Sequence, residues 1–382
     1  MSSLPKLTSM LAQLIAIPSV SSALPALDQG NVGVVEVLAQ WLTELGFRSE
    51  ILPIPGYPNK ANLIATLGQG PGGLVLAGHT DTVPFNEERW QHNPLALTED
   101  NQRLYGLGTC DMKGFFPMAI SAAQAFAGQK LRAPLIILAT ADEESSMCGA
   151  EALVEMGRPL ARYAVIGEPT GMRPVRQHKS IMMESIKIIG QAGHSSNPAL
   201  GNSALEAMHD VMTRLLDYRR QLQQQHINPG FSVQVPTMNL GCIHGGDNPN
   251  RICPQCELHF DARLLPGMSN DAVRDDIRAL VAGVALERGI DIQLHSLFKG
   301  VAAFMEREDS ALIKVAEQLT GYPAESVAFA TEAPFLQQLG IETLIMGPGS
   351  IDQAHQPDEF IELSSIEPCV AILRDLIKRF CL

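Results

Sequence analysis

Apolar residues in the first half of the chain fall in short unbroken runs, Leu74-Val-Leu-Ala77, Leu135-Ile-Ile-Leu138 and Ala164-Val-Ile166, each bounded by Gly, Pro or acidic positions. Such runs predict strands buried on both faces, because a sheet covered by helices leaves no polar side along its strands. Between two of them the spacing predicts a helix from about Phe115 to Ala127, where Pro117 is tolerable because it lies in the first turn. The stretch up to Ile15 is broken by Thr8, Ser9 and Gln13, and predicts an amphipathic helix, not a leader sequence.

From about Ser180 the rhythm changes. The pattern predicts strand Ile181 to Ile189, helix Ala204 to Gln224, strands Thr237 to Ile243 and Glu257 to Leu264, helix Asn270 to Glu287, and strand Ile290 to Leu297. This β-α-β-β-α-β order is the ferredoxin-like plan. A helix (Ser310 to Leu319) and a strand (Glu342 to Met346) then resume the earlier pattern. The expected architecture is α/β: a mixed, mostly parallel sheet flanked by helices over residues 1–179 and 298–382, interrupted by a ferredoxin-like α+β insert over 180–297. A chain of 382 residues also exceeds the usual size of one core, which favours two domains.

Composition narrows the partners. Hydrophobic residues make up 46% and charged residues 18%, as in an ordinary globular protein. Lys and Arg number 28 against 41 Asp and Glu, and a net charge of −13 repels nucleic acid and anionic membranes. No apolar stretch is long enough to span a bilayer. The seven cysteines are odd in number and scattered, which fits a reducing cytoplasm. Cys253-Pro-Gln-Cys256 lacks the second pair a structural zinc site needs, so it reads as packing or a turn.

In open α/β sheets ligands bind beyond the carboxyl ends of the strands. Five segments carry metal-capable side chains to that place: His79 and Asp81, Asp111 after a Gly-rich loop, Glu143 and Glu144, Glu168, and His355. Singly, each has an ordinary reading as a loop ion pair, a helix cap, a solvated turn or a strand exit. Jointly that reading fails, because it crowds several carboxylates at one sheet edge without counter-charge. Asp111, Glu144 and Glu168 with one hydroxide supply about four negative charges, which two divalent ions neutralise, with His79 and His355 completing one ligand set each. Imidazole and carboxylate without thiolate suit zinc in an open catalytic site, and cobalt or manganese can substitute. Asp81, two residues after His79 on an extended chain, is placed to hold the other imidazole nitrogen. Glu143, beside a ligand but pointing elsewhere, is free to act as general base and acid.

The strings Gly78-His79-Thr80-Asp81-Thr82-Val83-Pro84, Gly106-Leu-Gly-Thr-Cys-Asp111-Met-Lys-Gly114, Ala141-Asp-Glu143-Glu144-Ser145, Gly167-Glu168-Pro169-Thr170, Gly193-His194-Ser195 and Ala354-His355-Gln-Pro-Asp-Glu359 resemble, in order and spacing, the signatures of one co-catalytic dizinc family. That family includes aminoacylase, glutamate carboxypeptidase, peptidase T, succinyl-diaminopimelate desuccinylase and acetylornithine deacetylase. The longer strings Leu76 to Phe85, Thr331-Glu-Ala-Pro-Phe335 and Gly347-Pro-Gly-Ser350 resemble the acetylornithine deacetylase branch most.

The resemblance implies two zinc ions per chain: His79 and Glu168 on one, Glu144 and His355 on the other, and Asp111 bridging them. It implies a homodimer formed through the inserted domain, with His194 reaching into the partner's site to stabilise the oxyanion. It places Asn250, Arg263 and, more weakly, Thr331 where relatives hold a substrate carboxylate, for which a guanidinium fork is suited. The implied reaction is removal of the acetyl group from N2-acetyl-L-ornithine in arginine biosynthesis, with glutathione a possible activator by resemblance alone. Alternatives within the family are succinyl-diaminopimelate desuccinylase or a related aminoacylase or dipeptidase. A metal-binding homologue without catalysis is the remote one, disfavoured because a storage site needs no spare base beside Glu144.

Overall fold

The apolar runs lie side by side. In the computed structural model, which describes residues 4–382, strand Leu74–His79 sits between Leu135–Thr140 and Tyr163–Pro169, and Glu342–Gly347 follows on the far side of Tyr163–Pro169. These four strands are parallel. Every residue of Leu74–His79, Leu135–Thr140 and Tyr163–Pro169 is buried, the reason their sequences show no alternation. Antiparallel strands extend the sheet, Ala61–Leu67 and Arg48–Pro53 at one edge and Val175 opposite Ile345 at the other. Parallel register brings the carboxyl ends level, with His79 opposite Thr140 and Gly347 opposite Pro169.

Helices Leu7–Ile15, Phe115–Gln124 and Leu363–Cys381 pack on one another and share a hydrophobic core with the sheet. The first is amphipathic, burying Met10, Leu11, Leu14 and Ile15. Pro117 is the third residue of its helix, where no intrahelical N–H is needed. That helix stops at Gln124, short of Ala127, because Phe126 and Ala127 turn tightly back on the carbonyls of Ala123 and Gln124.

The described residues divide into two compact units. The first runs to Arg176 and resumes over Glu306–Glu325 and Thr331–Leu382; the second is Gln177–Met305 with Ser326–Ala330. These boundaries lie within a few residues of 180 on one side and eight beyond 297 on the other, and the short segment at 326–330 has no counterpart in the sequence-based division.

The second unit has its own core. Its four strands are antiparallel in the order Thr237–Gly245, Gln255–Arg263, Met182–Ile189, Asp291–Ser296, which is the ferredoxin-like arrangement. Gln255–Arg263 alternates buried and partly exposed residues, as a strand covered on one face must. The two helices, Ala204–Gln225 and Asn270–Arg288, start at Ser203 and Ser269, whose hydroxyls accept the N–H of Glu206 and Ala272. Gly289 ends the second helix at φ +57°, a left-handed cap that glycine adopts without strain. Among the described residues no helix is long and apolar enough to cross a membrane.

Candidate metal centre and active site

Close packing presses the Asp111 loop onto the level strand ends. A Cβ on Gly167 would stand 2.2 Å from the Phe115 ring, so that position needs glycine for approach, and one on Gly78 would displace the tip of Met112, 2.5 Å away at Cε. The result is a continuous chain of contacts in the first unit. His79 Nε2 lies 3.0 Å from Asp111 Oδ1 and 4.0 Å from Glu168 Oε1; His355 Nε2 lies 3.0 Å from Glu144 Oε2 and 3.6 Å from Asp111 Oδ2. Donor atoms of His79, Asp111 and Glu144 all fall within 4.8 Å of one another, as around one cation. The five residues proposed as ligands thus form a string with Asp111 at its centre.

The donor set is that of a metal centre. Glu168 Oε1 is buried and has no hydrogen-bond partner. Burial, and then the negative charge of Asp111, hold the Glu168 carboxyl well above the usual carboxylate range and raise that of Glu144 as well. Bringing three carboxylates this close costs free energy that bound cations offset, and nitrogen and oxygen donors without thiolate fit zinc.

Each ligand segment is held by residues behind it. The Asp81 carboxylate accepts the N–H groups of Glu143 (3.2 Å) and Glu144 (3.0 Å), and lies 3.6 Å from His79 Nδ1. The shorter contact of that nitrogen, 3.0 Å, is to the Asp81 main-chain oxygen, so the residue steers the imidazole chiefly through its backbone. Asp142 adopts φ +60° just before Glu143. It is fastened there by Lys60 Nζ at 2.7 Å and by the hydroxyls of Ser21 and Ser146 at 3.0 Å. Burial comes first, with the charges of Glu168, Glu144 and Glu332 adding to it against the pull of His79, in raising Glu143 well above its ordinary pKa. A carboxyl so placed holds a proton more readily than a free glutamate does, which suits a group that takes up and returns one.

Glu359 does for the Asp111 loop what Asp142 does for the Glu143 turn. Its buried carboxylate accepts the N–H groups of Cys110 (2.7 Å), Asp111 (2.9 Å) and Gly108 (3.0 Å), which ties that loop to the segment bearing His355. Cys110 is buried and its thiol faces the Ser350 carbonyl, while burial raises its pKa far out of the reactive range. All seven cysteines, including Cys253 and Cys256, are free thiols.

The remaining proposed residues differ in surroundings. Thr331 belongs to the first unit, is fully buried, and its hydroxyl accepts the N–H of Ala333. His194, Asn250 and Arg263 belong to the second unit. His194 and Asn250 are exposed; His194 Nδ1 lies 2.7 Å from Ser196 Oγ, and the Asn250 carbonyl accepts the Ser195 N–H. Arg263 Nε donates to both oxygens of Asp261, its neighbour on the same strand face, at 3.1 and 3.0 Å.

Residues 75–379 match the model of peptidase family M20/M25/M40. The chain belongs to this family. Full-length relatives include the acetylornithine deacetylase of Edwardsiella ictaluri, 46% identical over 99% of this chain and 98% of its own, and that of Pasteurella multocida, 45% identical over the whole of both. Among solved structures, a metallo-carboxypeptidase of the M20 family from Sulfolobus solfataricus shares the fold at TM-score 0.76 and 17% identity, covering 98% and 99% of the two chains. A dinuclear metal-binding M20 peptidase from Bacillus subtilis does so at 0.69 and 17%, covering 98% of each. The family resemblance and the α/β fold with its inserted sheet, expected from the sequence strings, therefore hold.

Two residues that buttress the site carry no signal of that role in the sequence: Glu359 follows His355 by four positions and Asp142 adjoins the paired glutamates, but their contacts are made only in the fold. Lys60, 82 positions before Asp142, offered no local signal at all.

Proposed function

We propose that this chain is a metal-dependent amide hydrolase that removes the acetyl group from N2-acetyl-L-ornithine, releasing L-ornithine and acetate in arginine biosynthesis. The observation that carries the reading is end-to-end identity of about 46% with acetylornithine deacetylases, joined to a carboxylate and imidazole cluster that could hold a metal ion. His79 and Glu168 would hold one ion and Glu144 and His355 the other, with Asp111 shared between them; zinc is the metal proposed, with cobalt able to substitute. When bound, these ions supply Lewis acidity at the acyl carbonyl and lower the pKa of water to about 7.

The chain's own residues carry the proton and the geometry. Glu143 accepts a proton from the attacking water and passes it to the departing α-amine. Asp81 keeps the His79 ring and the Glu143-Glu144 turn in register through the contacts described above. Arg263 and Asn250 are the proposed groups for the substrate α-carboxylate, with Thr331 a weaker candidate, and His194 from the partner subunit is proposed to stabilise the oxyanion in a homodimer built through residues 180–297. A cytoplasmic location fits the free cysteines, and activation by glutathione rests on family resemblance alone.

The test is a substrate panel on one sample whose metal content is measured. Protein carrying two zinc ions per chain should hydrolyse acetylornithine at least about tenfold more efficiently than succinyl-diaminopimelate or simple dipeptides. A fully loaded sample that left acetylornithine intact would remove the reading.

A further inference from the structure

The Glu143 carboxylate makes no hydrogen bond among the described residues; only its N–H is held, by Asp81. A side chain without an anchor of its own is aimed by the backbone that carries it. That backbone is the turn begun by Asp142, whose φ of +60° lies in the left-handed region that a residue with a Cβ enters at a cost. The turn therefore needs a hold from outside.

Lys60 is placed to supply it. It is only 7% exposed, and its Nζ stands between two carboxylates, 2.7 Å from Asp142 Oδ2 and 2.8 Å from Asp28 Oδ2. Asp28 also accepts the Ser22 N–H at 3.0 Å, within a segment that begins against the strand end bearing His79. There the Ser19 hydroxyl donates to the Thr80 carbonyl (2.7 Å) and the Ser21 N–H to the Thr82 carbonyl (2.9 Å), while the Ser21 hydroxyl reaches Asp142 (3.0 Å). Residues 19–28 thus strap the His79 strand to the Glu143 turn, and Lys60 closes the strap. Without its ammonium the Asp142 carboxylate would stand buried beside hydroxyls and a thiol alone, a state it escapes by moving toward water. That movement frees the turn.

We infer that Lys60 is a positioning residue for the general base: by tying Asp142 to Asp28 it fixes the turn from which Glu143 reaches the attacking water. This rests on the deacetylase reading and leaves its chemistry unchanged. Glu144, on the same turn, has a second hold through the ion it would share with His355, and Glu143 has none. Loss of Lys60 therefore acts on proton transfer, and leaves metal uptake and substrate binding in place.

The experiment measures kcat and KM for acetylornithine, together with zinc content, in the wild-type chain, Lys60→Met, Glu143→Gln and the double variant. Lys60→Met should lower kcat about 10- to 100-fold, as a misplacement of about 1 Å does, with KM within about twofold and zinc retained. On the Glu143→Gln background the same substitution should cost less than about twofold, because the group it aims is already gone. A merely structural role would repeat the full loss there. That repetition, a normal kcat in folded and zinc-loaded Lys60→Met, or zinc lost in proportion to activity would each overturn the inference and leave the deacetylase reading standing. If Lys60→Met does not fold, Asp28→Asn weakens the same link from its outer end and carries the test, with a loss of about 3- to 10-fold judged on the same two backgrounds. A zinc-loaded wild-type chain that left acetylornithine intact would remove the deacetylase reading, and this inference with it.

Discussion

His79 in the first unit and His178 in the second are both almost fully buried, yet their surroundings drive them in opposite directions. His178 has its Nδ1 on the Lys179 carbonyl at 2.7 Å, and burial lowers its pKa to about 4, so it stays neutral. Burial acts the same way on His79, but hydrogen bonds to Asp111 and Asp81 and the charge of Glu168 reverse it and raise the pKa well above normal. The difference teaches that burial alone does not mark a functional histidine. What marks His79 is burial among carboxylates that crowd together at one strand edge.

The same contrast runs through the proposed site. Its first-unit members are interlocked by Asp81, Asp142 and Glu359, whereas His194 and Asn250 stand exposed on the second unit. If the first set is preorganised around metal and His194 completes the site from a partner, variants of the two sets should differ in what they lose.

The largest effect belongs to Glu143→Gln, which should lower turnover roughly 10²- to 10⁴-fold with both metals retained. Unchanged turnover, or zinc lost along with it, would contradict a proton-transfer role. His194→Ala should cost on the order of 10²- to 10³-fold in kcat, again at full metal content. Mixing it with the Glu143 variant should restore activity in hybrid dimers, and failure in verified hybrids would exclude a contribution across subunits.

Next comes the pH dependence of His178. Its folded pKa is depressed below the unfolded value of about 6.5, so between about 6.5 and 4 the unfolded state binds more protons and stability falls as pH falls. The loss approaches about 3 kcal/mol near pH 4, and denaturant titrations of His178→Gln should show a flatter slope across that window. An equal slope in the variant would mean that the imidazole is not held neutral. The smallest effect is expected for Glu359→Gln, which leaves one fewer strong acceptor for three N–H groups and should weaken metal binding about 10- to 100-fold by chelator competition. Normal affinity there would show that the Asp111 loop holds its shape without the carboxylate.

Much of this arrangement was legible beforehand because its signals are local. Unbroken apolar runs marked the parallel strands, and an acidic residue or histidine at the end of each run marked the edge where ligands gather. Asp261 and Arg263 stand two apart on one strand and so share a face, which makes their pairing a local outcome as well. Lys60 and Glu359 were invisible as site residues because their partners lie 82 and about 250 positions away.

The sequence by itself determined the strands, the inserted ferredoxin-like segment, and which residue types were available as ligands and base, since each follows from spacing along the chain or from side-chain chemistry. Only the tertiary structure decided that Asp111 stands between two histidines, that a backbone carbonyl holds the His79 ring, and that Lys60 ties Asp28 to the turn before Glu143. Those outcomes depend on parallel register and on loops that meet across hundreds of residues, and such meetings are set by packing, not by local propensity.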